Sequence, residues 1–274
     1  MKRFNINEKT ATFIEKYNLF LEDQIQQIQL QHRLELASVF EINEGMRVLE
    51  IGCGQGDTTV ALADAVGSTG HVVAIDIASP DYGAPLTLRQ ATDIIKKSEL
   101  GGRITFHFET DFANFDVKEV FDVVVLSHSS WYFQQTEDLL HYFKKIKQMA
   151  KRICFAEWDL DFTKVSQRSH FCAATILALY SSFVNNDGNI QNLFHKTQIQ
   201  ELLLEAGFTN TKTQIVDASY LQDGDWERNY ANSIQSEFSS APKSIQTLIT
   251  SYYELMNQPN EKNESLDSFV IMAE

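Results

Sequence analysis

The sequence predicts an α/β protein built on a doubly wound, mostly parallel seven-stranded sheet with helical insertions. Three observations carry that expectation. Short apolar runs alternate with stretches of helical periodicity from about residue 45 onward, which is the pattern of repeated βα units. Those runs are nearly continuous in apolar residues, as strands buried on both faces must be. The first of them, Val48-Leu49-Glu50-Ile51, passes directly into Gly52-Cys53-Gly54-Gln55-Gly56-Asp57, a glycine-rich turn that opens a helix. Glycine permits positive φ and lets the backbone approach another group with no Cβ in the way, while a helix start offers unpaired amides. A polar ligand with a negative end is expected on that turn.

Before the turn, residues 8–40 carry Phe13, Tyr17, Phe20, Leu21, Ile28, Leu34, Val39 and Phe40 at roughly helical spacing in a glutamine-rich background, so one or two helices are expected there. Residues 1–44 read as an N-terminal helical cover on the sheet, and residues 45–274 as the main domain. Glu44-Gly45 turns the chain into a first strand over 47–51. The helix after the glycine turn should stop at Gly67, and His71 to Asp76 reads as the second strand. A turn-rich segment, Asp81 to Pro85, precedes a helix over about 88–100. Arg103 to Phe108 alternates as a third strand, and Phe121 to Ser127 is a fourth. Thr136 can cap a helix carrying Leu139, Leu140, Phe143, Ile146 and Met149, with Lys147, Lys151 and Arg152 at its end. Ile153 to Trp158 is the fifth strand.

The rhythm then breaks. An insertion over about 159–195 should hold a helix from 166 to 184 with Ala173, Ile176, Leu177 and Tyr180 on one face, followed by the polar run Asn185-Asn186-Asp187-Gly188-Asn189. This insertion is expected to form part of a lid, with a rigidly packed helix as the alternative. Thr197-x-x-Gln200 reads as a capping box for a helix closed by Gly207-Phe208. Residues 211–216 and 268–274 can be the last two strands. Between them lies a second, helical insertion over about 219–265, with Pro242 in a first helical turn and Pro259 as a stop.

Composition bounds the function. A chain of 274 residues with 43% hydrophobic and 22% charged residues can bury one sizeable core, and no stretch approaches the ~20 apolar residues of a membrane span. The start of the chain has no apolar run of the secretory type, so a cytoplasmic location is expected. A net charge of −14 repels phosphate backbones, which argues against nucleic acid. The three cysteines, Cys53, Cys154 and Cys172, fit neither a disulfide framework nor a metal knuckle, and no metal site is expected.

The turn itself narrows the ligand. A dinucleotide fingerprint needs a third glycine three residues after the second, and that position holds Asp57. What stands is Glu50-x-Gly52-x-Gly54-x-Gly56, which resembles the cofactor loop of class I S-adenosylmethionine-dependent methyltransferases, a Rossmann-like family. The likeness extends from about Gly45 to Trp158, with Thr110-Asp111 where the family often has Gly-Asp. It implies S-adenosylmethionine as cofactor and the strand order three, two, one, four, five, seven, six, with the seventh antiparallel. The Glu-Ile-Gly-Cys-Gly form also resembles cyclopropane fatty acid synthases. Their Glu-His pair after the fourth strand is absent, since Ser127-His128-Ser129-Ser130 stands there instead.

Open α/β sheets bind ligands at the carboxyl ends of their strands, and strands one to four end near Glu50, Asp76, Asp111 and Ser127-His128. On this reading Asp76 accepts the ribose hydroxyls, and Asp111 takes the adenine amino group with Phe112 against the ring. The turn around Gly52, Gly54 and Gly56 holds the methionine carboxylate, Glu50 faces the amino end, and Ser127 lies beside the cofactor. Methyl transfer is an in-line displacement, so positioning and exclusion of water are the main tasks. His128 is the candidate base, with a purely hydrogen-bonding role as the alternative. Trp131 and Tyr132 close the pocket, Glu157 and Trp158 line the acceptor side, and Tyr82 and His170 reach in from the insertions. The expected function is methyl transfer to a small-molecule acceptor. A nicotinamide-dependent oxidoreductase, a non-catalytic S-adenosylmethionine-binding module and a lipid-cyclopropanating enzyme remain as rivals.

Overall fold

Parallel strands Arg47–Ile51 (β1), His71–Ile75 (β2), Ile104–His107 (β3), Phe121–Ser127 (β4) and Ala150–Trp158 (β5) make most of one sheet, completed by Lys212–Val216 (β6) and Ser268–Ala273 (β7). The order is β3-β2-β1-β4-β5-β7-β6, and β7 runs antiparallel to both neighbours, as the family resemblance implied. This is a computed structural model, and it describes residues 6–116, 120–184, 186, 188–259 and 262–274. In β1 and β2 every residue after the first is buried, and β7 is buried throughout, which accounts for their unbroken apolar runs.

The sheet divides two apolar cores. One face is covered by Glu8–Tyr17 (α1), Gln24–Val39 (α2), Asp57–Ala65 (α3) and Leu88–Lys97 (α4), which pack Leu34, Leu36, Val60, Leu62 and Ile95 against Val48, Val72, Val123 and Val125. The other face carries Thr136–Met149 (α5) and Lys196–Glu205 (α7), with Phe143, Ile146 and Leu203 against Val124, Leu126 and Phe155. The insertions supply Arg168–Ser181 (α6), Asp223–Ser233 (α8) and Lys243–Asn257 (α9), and these three pack on one another. Ala173, Ile176, Leu177 and Tyr180 are buried in that contact with Ala231, Ile249 and Tyr253, so the face expected to lie over an acceptor is used to join the two insertions.

Several local expectations need correction. The helix over 88–100 stops at Lys97, because Ser98 leaves helical geometry, and Gly101–Arg103 forms a separate 3₁₀ turn. Thr136 is the first helical residue of α5 and Gln135 its cap. Lys151 and Arg152 lie in β5, where Lys151 pairs with Asp122 at 2.7 Å and Arg152 donates to the Phe40 carbonyl at 2.8 Å. The capping box of α7 is His195-x-x-Gln198: His195 Nδ1 accepts from the Thr197 amide at 3.1 Å, and Gln198 returns to the His195 amide at 2.8 Å. Gln200 bonds Thr213 instead. Asn185 and Asp187 of the polar run lie outside the described residues.

Candidate functional site

The glycine turn sits where β1 ends beside β2 and β4. Its three glycines have different physical reasons. A Cβ on Gly52 would lie 2.7 Å from the Ser129 Cβ, and one on Gly56 would lie 2.6 Å from the Ile95 Cδ1, so both glycines are demanded by neighbours within the chain. At Gly54, with φ of +52°, a Cβ would meet nothing within 4 Å. The space above Gly54 is open, as it must be if a ligand is to lie against the backbone there.

Asp76 follows β2 and is tied to that turn. Its Oδ2 accepts from the Gly54 amide at 2.8 Å and its Oδ1 from the Ala78 amide at 2.8 Å. A carboxylate has about four acceptor positions, so each oxygen keeps capacity for a ligand hydroxyl. Glu50 turns inward: it is buried, accepts from the Thr59 hydroxyl at 2.5 Å, and has its carboxyl pushed up to about 8 by burial, with Asp76 and Asp57 adding to the effect. Asp57 is raised for the same first reason, and the nearby Arg33 opposes it.

Asp111 begins the 3₁₀ turn after β3, where it accepts from the Ala113 amide at 2.8 Å, the Asn114 side chain at 3.0 Å and the Tyr142 hydroxyl at 2.7 Å. Phe112 differs from expectation. Its ring is buried in the core, with the Tyr142 ring at 5.0 Å and the Lys145 ammonium 5.0 Å from its centre.

Beyond β4 the structure gathers the remaining candidates. Glu157 is buried and accepts from the Ser130 amide and hydroxyl at 3.2 and 2.8 Å and from the Trp158 amide at 3.0 Å. Burial pushes its carboxyl up to about 7 against those bonds, and Glu227 adds to the rise. The Tyr132 phenol is pushed up to about 12, first by burial and then by Tyr82, Asp76, Glu157 and Glu227. The Tyr132 side chain is nonetheless 51% exposed, on the 3₁₀ turn that follows β4. The Trp131 ring is buried, with no partner for its Nε1 among the described residues. Trp158 stands between two histidine rings, His128 at 4.8 Å and His170 at 5.1 Å. His170 Nδ1 accepts from the Leu266 amide at 2.8 Å, and its Nε2 lies 2.7 Å from Glu227 Oε2.

His128 has φ of +50° and is partly buried. Its Nδ1 is 3.2 Å from Arg33 Nη1 and 3.1 Å from the Ser127 hydroxyl, while its Nε2 is 2.9 Å from the Ser268 hydroxyl. Burial holds it well below the usual histidine range, with Arg33, His32 and His170 pushing the same way. Arg33, Gln29 and His32 on α2, Asp223 and Glu227 on α8, and Ser268 on β7 were all absent from the sequence reading. The available signal was the glutamine-rich character of the second helix, whose Gln29, Gln31 and His32 are buried polar residues and so require partners.

A family model described as a methyltransferase domain matches residues 21–213. The chain belongs to the class I S-adenosylmethionine-dependent methyltransferases. A crystal structure of a cyclopropane-fatty-acyl-phospholipid synthase-like protein from Lactobacillus casei is 33% identical, with 97% of this chain and 98% of that one covered at a TM-score of 0.87. Magnesium protoporphyrin IX methyltransferase from Synechocystis shares the fold at 13% identity and a TM-score of 0.50, over 97% of this chain and 94% of that one. Methyltransferase phomM of Diaporthe leptostromiformis is 29% identical over 161 residues, 51% of this chain and 42% of the relative. The match thus spans about two-fifths of that curated relative's length.

The cofactor of this methyltransferase is S-adenosylmethionine, and the residues at the glycine turn have chemistry that fits such a ligand. The turn is open above Gly54, and the Asp76 carboxylate beside it keeps acceptor capacity for ligand hydroxyls.

Proposed function

We propose that this methyltransferase acts on a small molecule held between the Gly54–Asp76 end of the site and the wall formed by Trp158, His170 and Glu227. The observation that carries this reading is the Gly54 amide bonded to Asp76 beside open space; the pairing of His170 on α6 with Glu227 on α8 at 2.7 Å supports the choice of the opposite wall. When bound, S-adenosylmethionine supplies a methyl group on a positively charged sulfur to a nucleophilic atom of the acceptor. Asp76 would hold the ribose hydroxyls, Asp111 the adenine amino group through its remaining acceptor position, and the turn amides the methionine carboxylate, with Glu50 toward the amino end and Ser127 alongside. Tyr82, Tyr132 and Trp158 offer aromatic faces, which suit a positive charge and exclude water. Glu157 and Glu227 offer carboxylates to a polar acceptor. Because a displacement on carbon needs chiefly contact and alignment, a base is not obligatory. We further infer a cytoplasmic location, consistent with three buried, unpaired cysteines.

Isothermal calorimetry with S-adenosylhomocysteine and with NAD tests the cofactor half: the first should bind and the second should not. Formation of S-adenosylhomocysteine with a panel of small amines, alcohols and acids tests the acceptor half. Cofactor binding without turnover on any acceptor favours the non-catalytic module. A second reading, modification of an unsaturated lipid chain, is favoured by the 33% identity to the cyclopropane-fatty-acyl-phospholipid synthase-like protein. Mass spectrometry of unsaturated phospholipid vesicles after incubation with S-adenosylmethionine discriminates the two.

A further inference from the structure

We propose that Arg33 is a positioning residue that fixes His128 with its proton on Nε2 and its Nδ1 lone pair closed, and that Ser268 passes this orientation on to His32. The argument follows from donor inventory. A guanidinium has five N–H donors and no acceptor, so at the 3.2 Å separation of Arg33 Nη1 from His128 Nδ1 the ring nitrogen must accept. A neutral imidazole that accepts at Nδ1 carries its proton on Nε2. That proton points to the Ser268 hydroxyl at 2.9 Å. The hydroxyl, having accepted there, turns its own proton to His32 Nε2 at 3.0 Å, which leaves the His32 proton on Nδ1. The direction of the whole chain is set by the one member that can only donate.

The anchoring supports this role. Arg33 Nη2 lies 3.4 Å from Gln29 Oε1, and the Gln29 amide donates to Asp223 at 2.7 Å, so the guanidinium is held from both α2 and α8. His128 takes a left-handed backbone conformation, which is uncommon for a residue other than glycine. The positive and titratable groups around it are Arg33 and His32 from α2 and His170 from α6, with Trp158 from β5 between the rings. None of them offers a negative charge that would favour the imidazolium. His128 therefore presents a fixed neutral ring to the site, and its lone pair is spoken for while Arg33 is in place. Its part in methyl transfer is then to shape and orient, and the acceptor must keep its proton or give it to another group.

The inference concerns the site of the proposed function, but its test needs no turnover and can fail while that reading stands. Histidine side-chain nitrogen–proton correlation spectra of the full chain report each tautomer directly, with His128→Gln and His32→Gln assigning the signals among the seven histidines. The expected wild-type result is a neutral His128 protonated on Nε2 and a neutral His32 protonated on Nδ1. Arg33→Met should abolish the His128 preference and move its titration upward toward the ordinary range, whereas Arg33→Lys, also a pure donor, should retain the tautomer. Ser268→Ala should disturb His32 and leave His128 Nδ1 unprotonated. A wild-type His128 protonated on Nδ1, or charged at neutral pH, would overturn the proposal. So would a wild-type spectrum unchanged by Arg33→Met. If Arg33→Met does not fold, the wild-type and Arg33→Lys spectra still decide.

Discussion

The Gly54 amide donates to Asp76 Oδ2 at 2.8 Å, so the open point of the glycine turn and the carboxylate after the second strand are one unit. Substitution of either should therefore disturb cofactor binding without unfolding the chain. Asp76→Ala removes the acceptor and should weaken S-adenosylhomocysteine binding by at least about tenfold, equivalent to ~1.4 kcal/mol. Calorimetry on a folded variant that binds as tightly as the parent would remove Asp76 from the site.

The glycines should separate by mechanism. Gly52→Ala forces a Cβ to within 2.7 Å of Ser129 and should cost roughly 1–3 kcal/mol in stability, partly recovered in a Gly52→Ala/Ser129→Gly double variant. Gly54→Val meets no protein atom near its Cβ, so its damage beyond the backbone strain should appear in ligand affinity. Urea denaturation and calorimetry run side by side would show the split, and equal loss of stability and affinity in both variants would contradict it.

Stability should fall with rising pH because of Glu50. Burial raises its carboxyl from 4.5 to about 8, so the folded state retains a proton that the unfolded state releases. The sign follows from linkage: the contribution is fully present below the unfolded value and is lost as pH rises through the folded one, at roughly 1.4 kcal/mol per pH unit between them. Glu50→Gln keeps shape without titrating, so it should lose less stability than the parent between about pH 5 and about pH 8. Denaturation midpoints at both values check this, and identical losses would mean that Glu50 does not stay protonated.

Amide exchange in α6 should be slow before any ligand is added. Its apolar face is buried against α8 and α9, and His170 is further held by the Leu266 amide. Slow exchange depends on such burial. Hydrogen exchange with and without S-adenosylhomocysteine should show little change across 168–181, the behaviour of a fixed wall. Fast exchange that slows on binding would restore the moving lid.

The strands were legible because each is a short apolar run between turn residues, and the acids after β2 and β3 were legible because strand ends are where such sheets bind ligands. The cofactor was legible through the resemblance of Glu50-x-Gly52-x-Gly54-x-Gly56 to the methyltransferase loop, while Asp57 stands where a dinucleotide site needs glycine. Helix ends were less legible: His195 caps α7 through a ring nitrogen, a role that Thr197 fills more often. Phe112 was misjudged because proximity to Asp111 in sequence says nothing about which way a ring turns in a 3₁₀ segment. Arg33 and Ser268 were invisible, since their importance lies in a contact among α2, β4 and β7 that no local pattern encodes.

The placement of β7 between β5 and β6 has a kinetic consequence. Ser268 meets His128 across 140 residues of chain and His32 across 236, so the histidine pair can be bridged only after both insertions have been made and docked. Closing loops of that length is slow relative to local helix formation. During synthesis, the β1–β4 half with its glycine turn can assemble first, leaving β5 as a bare edge until β7 arrives. If the cofactor lies on the glycine turn as proposed, the half that holds it can form before the other, and early cofactor binding would favour the productive order of assembly.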